Sequence, residues 1–103
     1  MASGILGQSS PSTTTNTTVY TVPADKTATF NVNCVNRGDL PGTVRLAVAA
    51  GSTPTDAEWI EYETSIAAKG VLERTGIVAQ AGKRIIAYAS SAAFSFSVYG
   101  YEV

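Results

Sequence analysis

The chain has 103 residues, with seven Lys and Arg against eight Asp and Glu and a formal net charge of −1. That balance leaves no basic field to neutralise a run of phosphates, so nucleic acid is not expected as a main partner. Histidine is absent and cysteine occurs once, which removes the commonest general base, a favoured metal ligand and any thiolate metal site within one chain; no cofactor, metal or enzymatic activity is expected.

Residues 1–18 differ from the rest of the chain. From Gln8 to Thr18 the chain is an uncharged run of Ser, Thr and Asn broken only by Pro11, and such a segment cannot bury a core by itself. The opening Met1-Ala-Ser-Gly-Ile-Leu-Gly7 has neither a charged n-region nor a long apolar h-region, so no secretory signal is expected. No stretch approaches the length of a membrane span, and no membrane partner is expected. Ile5 and Leu6, an apolar pair between Gly4 and Gly7, favour an extended arm over a solvated tail. Such an arm becomes ordered by adding to a neighbouring sheet edge. The expected organisation is an extended N-terminal arm over 1–18 and a β domain over 19–103.

Beyond the arm, strand-like runs recur near 17–22, 27–36, 43–50, 57–63, 71–77, 84–89 and 94–102, at the spacing of sandwiches and barrels. Pro23-Ala-Asp25, Asn36 to Gly42, Gly51 to Asp56, Ala67 to Gly70 and Gln80-Ala-Gly82 separate them, each with residues that preset φ or supply φ > 0. Within the runs, apolar and polar residues alternate. Ala28, Phe30, Val32 and Cys34 oppose Thr27, Thr29, Asn31 and Asn33; Val44, Leu46 and Val48 oppose Arg45; Phe94, Phe96 and Val98 oppose Ser95, Ser97, Tyr99 and Tyr101. The pattern predicts an all-β fold: one β-sandwich, jelly-roll or immunoglobulin-like, of about seven to eight antiparallel strands. Cys34 lies on an apolar parity and reads as a small buried hydrophobe, with no activating neighbour for its thiol. With no disulfide to form, the fold can mature in a reducing cytoplasm.

Glu58, Glu61 and Glu63 cluster, with Glu61 and Glu63 on one face of a regular strand. They read as a solvated polar face, since catalytic carboxylate pairs need opposed placement in a cleft. Arg37-Gly38-Asp39 reads as a tight charged turn rather than an adhesion motif, and Lys83-Arg84 as a strand entrance. Trp59, with Tyr62 nearby, either closes one end of the core or anchors a partner. Tyr99 and Tyr101 stand on the polar parity near the end of the sequence, as rigid amphipathic rings do at protein interfaces; the alternative is a face covered by the chain's own amino-terminal arm. Ile5, Leu6, Trp59, Tyr62, Tyr99 and Tyr101 are therefore the candidate interaction residues.

Gly4-Ile-Leu-Gly-Gln8, Thr18-Val-Tyr-Thr-Val-Pro-Ala24, Cys34-Val-Asn-Arg-Gly38 and Phe96-Ser-Val-Tyr-Gly-Tyr-Glu102, taken with the Ser/Thr-rich link, resemble small β-sandwich virion proteins of tailed bacteriophages. The resemblance spans nearly the whole chain and rests on turn and strand pieces. It implies a non-enzymatic virion structural protein assembled in the bacterial cytoplasm, foremost a capsid decoration or cement protein. A tail, baseplate or fibre module that recognises the host surface is the alternative. The implied partners are the major capsid protein or another virion protein, together with further copies of the chain as a dimer or trimer. In that setting the arm would clamp a neighbour or the shell by strand addition, and deleting residues 1–16 would abolish shell binding without unfolding the sandwich.

Overall fold

Eight strands form among the described residues: β1 (Ser3–Ser9), β2 (Thr17–Thr21), β3 (Thr27–Asn36), β4 (Gly42–Ala49), β5 (Trp59–Ile66), β6 (Val71–Gln80), β7 (Arg84–Ala89) and β8 (Phe94–Glu102), with alternation clearest in β3, β4 and β8. The computed structural model describes residues 2–103. A 3-10 turn, Asp56–Glu58, precedes β5, so this strand starts at Trp59 rather than at residue 57. The Glu58 carboxylate accepts the amides of Thr55 and Ala50 and holds that turn against the end of β4.

The strands lie in two antiparallel sheets, a first of order β1-β8-β3-β6 and a second of order β2-β7-β4-β5. The pairs β1·β8, β2·β7, β3·β6 and β4·β5 are the rungs of one doubled ribbon, rolled up so that β8 meets β3 and β7 meets β4. This is the jelly-roll order; an immunoglobulin sandwich would divide its strands otherwise. The sheets enclose a core of Phe30, Val32, Cys34, Val44, Leu46, Ile85, Phe94, Phe96 and Val98, all from the apolar parities. Burial pushes the Cys34 thiol up to about 12, which leaves it protonated and unreactive at neutral pH.

One polar group shares the inward parity of β8. Glu102 is buried, and its carboxylate accepts the Tyr20 hydroxyl at 2.5 Å. The Tyr20 ring in turn meets Phe30 edge-on. Burial, then the Glu102 hydrogen bond and charge, raise the Tyr20 phenol far above its ordinary range.

The register irregularities follow a rule. The two central pairings, β3–β8 and β4–β7, run without a break. Each edge strand carries an extra residue: β1 between Ile5 and Gly7, β2 between Thr18 and Tyr20, β6 between Arg74 and Ile77, and β5 in two places. Bulges twist an edge and interrupt its row of unpaired backbone groups, which disfavours pairing with a foreign strand. The two open sides of the sandwich are also shut. At Gly7 the backbone of β1 lies so close to β2 that an added Cβ would sit 2.2 Å from the Val19 carbonyl oxygen. On the other side Arg74 of β6 donates to Glu61 at 2.5 Å and to the Ile60 carbonyl at 2.7 Å, both in β5.

Residues 3–9 are extended, and the edge they join is β8 of the same chain. The sheet edge that the arm joins is thus in cis, and without it β8 would present an unpaired edge beside the buried row Phe94, Phe96 and Val98. Leu6, the extra residue of the β1 bulge, packs against the core. The chain then crosses to the second sheet past the buried Pro11, and Thr17 and Thr18 already belong to β2. The uncharged link is held by Arg37, whose guanidinium donates to Ser10 Oγ, Ser95 Oγ and the Ala92 carbonyl.

Candidate interaction surfaces

The six candidate residues separate onto three parts of the molecule. Leu6 faces the core. Ile5, Tyr99 and Tyr101 meet on the outer face of the first sheet, where register sets Ile5 opposite Tyr99 and Tyr101 opposite Thr29. Thr29 pairs on its other side with Val78. Ile5, Tyr101 and Val78 are 59%, 45% and 63% exposed. Residues directly opposite in an antiparallel pair share a face, so Ile5, Tyr99, Tyr101 and Val78 stand on one face together with Ser3, Thr29 and Asn31. The Tyr99 hydroxyl donates to Glu73 of β6, across β3. That hydrogen bond raises the Tyr99 phenol and holds the ring along the sheet. The amino-terminal strand contributes Ile5 to this patch and does not cover it.

Trp59 and Tyr62 lie on the outer face of the second sheet, so the aromatics of β5 and β8 are on opposite sides of the sandwich. Bulges assemble this second site. Trp59 pairs with Ala47 and Glu61 with Leu46, so Trp59 faces out and Glu61 in. Between Glu61 and Thr64 there is one residue too many for the alternation, and Glu63 takes φ +52, a left-handed conformation. Tyr62 and Glu63 consequently both serve the outer face, next to Arg45. The Arg45 guanidinium lies 4.4 Å from the Tyr62 ring centre, 4.2 Å from that of Tyr88 and 5.9 Å from that of Trp59. Its Nε donates to Glu63 at 2.6 Å, and this bond stabilises the Arg45 charge further. Trp59 covers Ala47, Ala49 and Ile86, a small buried cluster outside the main core. Trp59 thus seals a surface cluster of its own instead of an end of the core. It also meets Tyr62 edge-on, with ring centres 5.5 Å apart at 71°. Asp56, Trp59 and Tyr62 line a shallow depression of about 400 Å³.

Glu61 and Glu63 do not share a face. Burial alone would raise Glu61, but hydrogen bonds from Thr64 and Arg74 with the Arg74 charge outweigh it and hold this carboxyl below the usual range. Glu63 belongs to Arg45 on the other side. In Arg37-Gly38-Asp39 the arginine is tied to Ser10, Ser95 and Ala92, while Asp39 pairs with Lys69 at 3.3 Å. The turn after Arg37 rests on Asn36, buried, which donates to the carbonyls of Leu40, Ile66 and Ala67 and accepts the Gly38 amide.

Sequence reasoning missed Arg45, Tyr88 and Val78 as site residues. Arg45 and Tyr88 both stand on outward parities, but only the β4–β7 register sets them opposite each other. Among the described residues no three His, Cys, Asp or Glu side chains gather as metal ligands. No protein-family model matches the chain, and neither a curated protein nor a solved structure shows significant similarity to it.

Proposed function

We propose that this chain is a non-enzymatic structural protein of a tailed-phage virion, a decoration or cement protein that docks on the assembled shell through the outer face of its first sheet. The observation that supports this best is the Ile5–Tyr99–Tyr101–Val78 patch. Its backbone is fixed by strand pairing, and the Tyr99 ring is held by the bond to Glu73, so docking need not order that ring. The bulged edges favour recognition through faces over strand addition. The partner is the major capsid protein or another virion protein, and neighbouring copies around a local symmetry axis would share the load as a dimer or trimer. A ligand that binds the intact shell and not its dissociated parts stabilises the shell by mass action. The jelly roll is an architecture that viral capsid and lectin domains use, an analogy of fold that supports this context without assigning the role.

The test is binding to purified shells that lack the protein. Ile5→Ser with Tyr101→Ser should weaken binding by about tenfold or more while the thermal transition stays within a few degrees. Unchanged binding would refute docking through this face. A second reading, a tail, baseplate or fibre module that meets the host surface, is favoured by the aromatic cluster around Arg45 on the opposite face.

A further inference from the structure

We infer that the depression lined by Asp56, Trp59 and Tyr62 is a binding site for a neutral pyranose sugar. Two aromatic rings at 71° form a corner, with a carboxylate at its rim. The volume of about 400 Å³ falls in the range of small-ligand sites. A pyranose presents polarised C–H groups on one face and hydroxyl donors around its edge. The first suit the negative face of an aromatic ring, and the second suit a carboxylate that accepts hydrogen bonds.

Charge selects among the ligands that such a corner admits. A quaternary ammonium or methylated lysine would also suit aromatic rings, but here the Arg45 guanidinium already lies over Tyr62 and near Trp59. A second cation would be repelled by that charge, whereas a neutral C–H donor is not. An acidic sugar would meet the Asp56 carboxylate. A neutral polyol with an apolar face satisfies both constraints.

The site is also built in advance. Trp59 is seated on Ala47, Ala49 and Ile86, Tyr62 is backed by Arg45, and the turn carrying Asp56 is fixed by Glu58 through the Ala50 and Thr55 amides. Tyr62 is still 57% exposed. Rigid, accessible rings lose little freedom when a ligand arrives. The inference is independent of where on a particle the protein sits, and of the shell-docking face, because its residues lie on the other sheet.

Trp59 is the one tryptophan of the chain, so its fluorescence reports this site alone. The experiment titrates the full chain with methyl glycosides of glucose, galactose, mannose and N-acetylglucosamine, with glucuronate and with tetramethylammonium. A saturable change in Trp59 emission is expected at millimolar concentrations of at least one neutral glycoside, and none with the other two probes. Asp56→Asn and Tyr62→Ala should each weaken it by about tenfold, while Val71→Ser, at an exposed position of the first sheet, leaves it unchanged. Circular dichroism of each variant checks that the fold is kept. No response to any neutral glycoside, a response that survives both substitutions, or a preference for tetramethylammonium or glucuronate would each overturn the inference.

Discussion

Tyr20 and Glu102 show how a polar pair is held inside an all-β core. The carboxylate is buried and accepts the phenol at 2.5 Å, so Tyr20→Phe leaves a buried acceptor without its donor. We expect a loss of about 1–3 kcal/mol in urea unfolding, close to the cost of an unsatisfied buried group. Tyr20 and Cys34 also set the alkaline limit. Both are raised in the folded state, from ordinary values of 10.0 and 9.0, so unfolding above these values releases protons. Their stabilisation is complete below pH 9 and is lost as pH rises toward the folded values, at up to about 1.4 kcal/mol per pH unit for each group. Urea titrations at pH 7 to 11 should show this decline. Cys34→Ala should lower stability at pH 7 and flatten the slope between pH 9 and 10; an unchanged slope would show that the thiol does not contribute. The alternation of β3 made the burial of Cys34 legible. The parity of β8 equally puts Glu102 inside, but its phenol partner 82 residues away depends on the packing of β2 against the other sheet.

At the scale of elements, pattern and bulge account for different things. Strand existence was legible because alternation covers β3, β4 and β8, and turn residues punctuate the rest. The bulges were not, since one extra residue leaves the surrounding pattern strand-like; only Gly76, left-handed within β6, marks one in the sequence. That is why Glu61 and Glu63 were expected on one face, and why Tyr62 and Arg45 were not expected to meet. Val78 was likewise hidden, because the bulge at Thr75 and Gly76 shifts the parity of β6 from Ile77 onward, the residue at which the alternation had ended the strand. The edges carry two testable consequences. Gly7→Ala would drive a Cβ into the Val19 carbonyl, so β1 must move from β2, at about 1–3 kcal/mol by chemical denaturation. Arg74→Leu removes the link between β6 and β5. Because Arg74 is 40% exposed, solvent screening limits the loss to about 1 kcal/mol. Glu61 is held below its ordinary range, so its contribution is present at neutral pH and is lost as pH falls through its folded value. The difference between Arg74→Leu and the parent chain should accordingly shrink in acid. A constant difference down to pH 2 would show that the ion pair is not its source.

For the whole molecule, the arrangement that matters is two patches on opposite outer faces of one sandwich, 41 × 27 × 20 Å along its principal axes. A copy docked on a shell by Ile5, Tyr99, Tyr101 and Val78 would turn Asp56, Trp59 and Tyr62 outward, toward whatever the particle meets. In the proposed arrangement the amino-terminal strand would complete the docking face in cis. Deleting residues 1–16 should therefore destabilise the sandwich as well as abolish shell binding, a double loss that separates it from a free clamp. The most direct measurement is the copy number of the protein in purified virions, by quantitative mass spectrometry against the major capsid protein. A decoration role requires a near-stoichiometric ratio, hundreds of copies per particle. A handful of copies would contradict it in favour of a tail or fibre position, and complete absence would remove the virion assignment.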